Sequence, residues 1–112
     1  MPRFVILEHD HPVLHWDLML EKGEVLQTWR LAKPPEKGLL IAAEKSFDHR
    51  LFYLDYEGPV SQDRGSVKRW DSGSYQQVEQ NSFVQWEFFG ERLTGIGILH
   101  ANGEKFTFEW IG

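Results

Sequence analysis

Cysteine is absent from this 112-residue chain, and the absence removes several chemistries at once. There can be no disulfide, no thiolate metal site and no cysteine nucleophile, and a cysteine-free chain fits a reducing cytoplasm. No segment approaches the length of a membrane span, and Met1 to Glu8 carries no apolar stretch of signal-peptide length. There is no repeat, low-complexity tract or linker, so residues 1–112 are expected to form one domain. An excess of basic charge is also missing: 12 Lys and Arg against 17 Asp and Glu leave a formal net charge of −5. Proteins that coat duplex nucleic acid through its phosphates are usually basic, so that mode of binding is not expected here. A single phosphate engaged through a metal ion is not excluded. What the chain does have is apolar bulk, with 41% hydrophobic residues including five Trp and eight Phe. That is ample for a core without staples.

The pattern of that bulk is β. Leu14, Trp16, Leu18 and Leu20 alternate with His15, Asp17 and Glu21, a period of two. Val84, Trp86 and Phe88 alternate with Gln85 and Glu87, and Phe106, Phe108 and Trp110 with Lys105, Thr107 and Glu109. Further strands are predicted at Phe4–Leu7, Val25–Arg30, Leu39–Ala43, Ser66–Asp71, Ser74–Gln80 and Arg92–His100. The segment between Glu44 and Asp63 loses periodicity and reads as loops, with at most a helical turn near Leu51 to Tyr56. Asn102-Gly103 is the strongest short hairpin signal, joining the last two strands. Gly95 and Gly97 inside a strand point to sharp curvature or close backbone approach. The expected fold is all-β, a small closed or nearly closed antiparallel β-barrel with little helix.

Chemistry concentrates in His9-Asp10-His11-Pro12-Val13-Leu14-His15-Trp16-Asp17. The strand period puts His15 and Asp17 on one face, and a turn around Asp10 to Pro12 would bring His9 alongside. Two neutral imidazoles and a carboxylate with open coordination positions suit a divalent Mn, Fe or Zn ion. On spacing alone the same residues also describe a strand with one surface histidine and a carboxylate capping a turn. His49 lies where regular structure lapses, the usual place for a site residue, although a lone loop histidine is more often solvated. Lys33, ahead of Pro34-Pro35, reads as a surface lysine; His11 and His100 read as surface or strand-end residues; the tryptophans read as core.

Taken in order along the chain, several short blocks resemble the 3′-phosphoesterase domain of bacterial DNA ligase D. They are Phe4-Val5-Ile6-Leu7-Glu8-His9-Asp10, Leu14-His15-Trp16-Asp17-Leu18-Met19-Leu20-Glu21, Leu26-Gln27-Thr28-Trp29 and Ala32-Lys33-Pro34-Pro35. Asp48-His49-Arg50-Leu51-Phe52-Tyr53 to Gly58, Trp70-Asp71-Ser72-Gly73-Ser74-Tyr75 and Gly90-Glu91-Arg92-Leu93-Thr94-Gly95 complete the series. The resemblance implies a compact β-barrel with a crescent-shaped active site inside it, where a manganese-type ion helps remove a 3′-terminal phosphate or ribonucleoside from a DNA or RNA end. By position it implies His9, His15 and Asp17 as metal ligands and His49 as phosphate contact or general acid. It implies Tyr53 as a hydroxyl donor and Lys33 as a phosphate-contacting cation. Zinc or another transition metal would suit the same ligands. The implied setting is cytoplasmic DNA repair, with end-joining proteins as partners and no membrane. Apart from the family's N-terminal extension, which is not expected in this sequence, the chain departs from the family at three places. Met19 stands where an arginine follows the ligand aspartate, apolar Leu40-Ile41 stands in place of another arginine, and the glycine-rich loop is shortened to Pro59–Gly65. Those departures leave room for a phosphoesterase acting on a smaller phosphorylated substrate. They also leave room for a non-catalytic module that binds a nucleic-acid end or a repair partner.

Overall fold

The computed structural model describes residues 1–78 and 83–112. Ten strands follow the chain: β1 (Arg3–His9), β2 (His15–Lys22), β3 (Val25–Leu31), β4 (Leu40–Lys45), β5 (His49–Arg50), β6 (Gly58–Pro59), β7 (Ser66–Val78), β8 (Val84–Gly90), β9 (Thr94–Asn102) and β10 (Lys105–Trp110). Eight of them make a closed antiparallel barrel in the order β1-β2-β3-β4-β10-β9-β8-β7, sealed by pairing of β7 with β1. Closure leaves no long unpaired edge. The one helical element among the described residues is a 3-10 turn at Leu51–Leu54, inside the segment expected to lose periodicity. No helix among those residues is long and apolar enough to cross a membrane.

Two hairpins set the register. Lys22 faces Val25 and Asn102 faces Lys105, so the two-residue loops are Gly23-Glu24 and Gly103-Glu104. Each glycine has positive φ, 61° and 65°, and neither glutamate does, which is the type II′ requirement. The Asn102-Gly103 hairpin therefore forms, with its loop one residue later than the dipeptide indicated.

The two strands predicted at Ser66–Asp71 and Ser74–Gln80 are one, β7; Glu79 and Gln80 lie outside the described residues. A bulge at Trp70, opposite the Ile6/Leu7 step, bends β7 without ending it. Gly73 keeps it continuous, because a Cβ there would lie 2.2 Å from the Phe89 carbonyl oxygen. That bend lets β7 pair with β1 and β8 and so close the barrel.

Strand alternation explains which side chains fill the interior. Phe4, Ile6, Leu18, Leu20, Phe88 and Phe108 are all fully buried there, contributed by strands all round the barrel. Burying each of these is worth about 1.5–3 kcal/mol. Of the five tryptophans only Trp86 and Trp29 belong to this core. Trp16, Trp70 and Trp110 pack at its margin, and Arg92 lies 4.9 Å from the Trp70 ring centroid.

The uninterrupted run Phe4-Val5-Ile6-Leu7 has zero exposure throughout, so both faces of β1 are covered. The second face carries Val5, Leu7, Met19, Leu26 and Val67, roofed by Leu51, Tyr53, Leu54, Tyr56 and Val60. A strap of residues 46–65 makes that roof. It is laced to β3 by β5 and to β7 by β6.

Candidate metal centre and its cavity

The functional side chains share the second face. On β1 it carries residues 5, 7 and 9; on β2, residues 15, 17 and 19; on β3, residues 26, 28 and 30. The site therefore lies on the outer surface of the barrel under the strap, not inside the barrel as the resemblance implied. The interior is filled by Phe4, Ile6, Leu18 and their neighbours and has no room for it.

His9 and His15 face each other in the β1–β2 register, as the turn predicted. Asp17 follows one pleat on. His15 and Asp17 are buried, at 2% and 3% exposure, and His9 is half-buried. One ligand atom from each residue fits within a 4.8 Å span. Backbone carbonyls orient both rings. His9 Nε2 donates to the Arg64 oxygen at 2.8 Å, and His15 Nδ1 donates to the Val13 oxygen at 2.8 Å. Those bonds fix the tautomers and leave His9 Nδ1 and His15 Nε2 as lone-pair donors, the usual second-shell arrangement around metal-binding histidines.

Both free nitrogens converge on one oxygen. Asp17 Oδ2 lies 3.2 Å from His15 Nε2 and 3.7 Å from His9 Nδ1. Atoms held ~2.1 Å from a shared ion lie about 3–3.6 Å apart, so the 3.2 Å edge has that size and the 3.7 Å edge is slightly longer. A lone pair against a carboxylate oxygen needs positive charge between them, either a proton or a metal ion. The pKa of His15 is raised. Burial pulls it down but is outweighed by the hydrogen bond and charge of Asp17. The remaining Asp17 oxygen, Oδ1, is buried without a hydrogen-bond partner. An orphaned buried carboxylate oxygen calls for an ion or water. The donor set and this orphan fit a divalent cation.

Beside the ligands opens a cavity of about 310 Å³, bordered by His9, Asp17, Met19, Arg30, His49 and Tyr53. That volume is at the small end of ligand sites. His49 enters from β5 on the strap, where its Nδ1 lies 2.9 Å from Thr28 Oγ1 and 3.0 Å from the Phe47 oxygen. Thr28 spends its own proton on the Leu26 carbonyl, so Nδ1 carries the His49 proton and Nε2 is left for the cavity. Burial holds the His49 pKa below the usual imidazole value, against the pull of Asp17, and favours the neutral ring. Phe47 stacks on His49 with centroids 4.5 Å apart, and Tyr53 meets it edge-on at 5.7 Å.

Of the expected cations, Lys33 is the one missing from the cavity lining. Lys33 sits just past β3, exposed and away from the cavity wall. Met19 is buried in the wall, Leu40 faces solvent and Ile41 is in the core, so no cation stands at those positions. Arg30, Arg50 and Arg64 border the cavity instead. Arg64 sits at the end of the shortened loop and binds Ser61 through Nε and Nη2. Arg30 escaped the sequence reading, although counting back from the Gly23-Glu24 turn puts it opposite Asp17. His11 also lines the cavity, and His100 Nε2 bonds Glu109 at 2.9 Å.

With that geometry in hand, comparison with known proteins is decisive. The family model described as the DNA Ligase D 3'-phosphoesterase domain matches residues 7–110. The chain belongs to the DNA ligase D 3′-phosphoesterase domain family. It is 30% identical over 107 residues to the multifunctional non-homologous end joining protein LigD of Pseudomonas aeruginosa, covering 83% of this chain and 12% of that protein. It is 30% identical over 113 residues to the LigD protein of Mycobacterium tuberculosis, covering 91% of this chain and 15% of that protein. For the LigD protein of Mycolicibacterium smegmatis the figures are 35% over 82 residues, 66% and 10%. The chain thus spans about a tenth to a seventh of the length of these LigD relatives.

Proposed function

We propose that this domain is a metal-dependent phosphoesterase that removes a 3′-terminal phosphate or ribonucleoside from DNA or RNA ends during end-joining repair. The observation that carries the reading is the convergence of His9 Nδ1 and His15 Nε2 on Asp17, whose second oxygen is orphaned. Two imidazoles and one carboxylate leave coordination positions open for substrate and water, and manganese suits that mixed set, with zinc as the alternative. A bound ion would polarise a phosphoryl oxygen and lower the pKa of a water in its coordination sphere.

The chain's own groups do the rest. The two backbone carbonyls hold the ligand rings in place, and the strap screens the phosphate from bulk water. His49, neutral through burial, accepts at Nε2 the proton released by the attacking water, and the leaving 3′-oxygen takes its proton from solvent. Tyr53 supplies a hydroxyl at the same wall. Lys33, exposed beyond β3, would meet the backbone of a longer substrate.

A second reading, hydrolysis of a smaller phosphorylated substrate, is favoured by the net charge of −5 and by the modest cavity. A 3′-phosphorylated primer on a longer template, with Mn supplied, separates the two. The expected result is release of phosphate that stops on chelation. No release, or release indifferent to chelation, overturns the proposal.

A further inference from the structure

Arg30 is the one cavity arginine with nothing to hold. Its β3 register sets it between two carboxylates, Asp17 on β2 and Glu44 on β4. It makes an ion pair with neither, and among the described residues its side chain makes no hydrogen bond. Asp17 is turned to the two histidines, and Glu44 is exposed. The Arg30 Nε is buried and unpartnered, although the guanidinium borders the cavity. The neighbouring cations are committed: Arg50 lies over the Phe52 and Tyr53 rings, and Arg64 is bonded to Ser61.

A buried guanidinium N–H without an acceptor costs free energy, and in folded proteins such a group calls for a water, an ion or a ligand. The orphan here is cationic and always charged, so its missing partner is an anion. Directly across the strand pair is an orphan of opposite sign, Asp17 Oδ1. A cation on the Asp17 side and a tetrahedral oxyanion on the Arg30 side satisfy both at once.

We infer that Arg30 is the phosphoryl clamp of this domain, holding the non-bridging oxygens of a terminal phosphomonoester beside the metal centre. The inference rests on the phosphoesterase reading but names the residue and the ligand group. The planar fork of arginine matches two phosphate oxygens, which a lysine ammonium cannot do. Developing charge on those oxygens is stabilised by a donor already in place.

The test uses the full chain and two readouts. Inorganic phosphate is titrated calorimetrically into Mn-loaded protein, and 3′-phosphorylated primer-template supplies kcat/KM. Arg30→Gln should weaken phosphate binding at least tenfold and lower kcat/KM by about 10²–10³-fold, the usual cost of one preorganised donor. Its Mn affinity should stay within twofold of wild type. Arg30→Lys should recover part of the phosphate affinity, and Arg92→Gln, beside Trp70, should change nothing. If Arg30→Gln proves unfolded by circular dichroism, the Lys variant decides, since a clamp requires it to fall below wild type. Wild-type phosphate affinity in Arg30→Gln, or in Arg30→Lys where that variant decides, overturns the clamp, as does a wild-type protein that binds no phosphate. Arg30-dependent phosphate binding without primer cleavage would instead sink the 3′-end reading and leave the clamp standing.

Discussion

The hydroxyl of Thr28, on β3, lies 2.9 Å from Nδ1 of His49, on the strap, and is itself fully buried. A barrel residue thereby sets the tautomer of a strap residue. Replacing Thr28 with Val keeps the shape and removes the acceptor. Turnover should fall about tenfold to a hundredfold, less than the 10²–10⁴ attached to a positioned acid–base group itself. His49→Ala should lose that full amount. Mn affinity, measured by calorimetry, should hold in both.

The ligand set has its own signature. His15→Ala and Asp17→Ala should each push Mn binding out of calorimetric range, because each removes one of three protein donors from a buried site. Cleavage should disappear with it. Unchanged Mn affinity in both variants would remove the metal centre from this face of the barrel.

Acidity should act through His49 once metal saturates the ligand histidines. Burial lowers its pKa, so the neutral ring persists below the usual value of about 6.5. Falling pH protonates Nε2 and removes the acceptor. The acid limb of kcat under saturating Mn should therefore lie below about pH 6.5 and should vanish in His49→Ala. A limb above that value would show that burial is not governing the ring.

Gly65 is the narrowest point of the site's support. It has φ of 75°, and a Cβ there would fall 2.2 Å from Asp10 Oδ1, the atom that accepts the Ser66 amide at 2.9 Å. Left-handed backbone costs a non-glycine residue about 1–2 kcal/mol before any clash. Gly65→Ala should therefore destabilise the domain by about 2 kcal/mol or more in urea unfolding. It should also weaken Mn binding, because the neighbouring Arg64 carbonyl orients His9.

Much of this site was legible because it rests on short-range pattern. The His9 and His15 pairing needs only a period of two and a turn, and the observed register provides both. Arg30 was hidden because it stands between Trp29 and Leu31 and reads as the polar half of an ordinary half-buried strand. Only register counted from Gly23 places it by Asp17. Lys33 lies beyond that register, past the end of β3, and spacing alone could not tell wall from surface. The outer location of the site was written in Phe4-Val5-Ile6-Leu7, since an unbroken apolar run demands a cover on each face. The identity of the cover was not, because residues 46–65 have no periodicity from which to predict it.

The division between barrel and strap also separates two kinds of failure on heating. His9, His15 and Asp17 ride on β1 and β2, each paired on both sides, whereas His49 rides on a strap joined to β3 and β7 by two residue pairs apiece. Segments held by few backbone bonds open at a lower free-energy cost than the cores they cover. Apparent substrate affinity scales with the fraction of molecules in which the strap is shut. As temperature climbs, the protein should lose turnover first, with Mn held more weakly once the Arg64 carbonyl leaves His9, and surrender the ion fully only as the barrel itself melts.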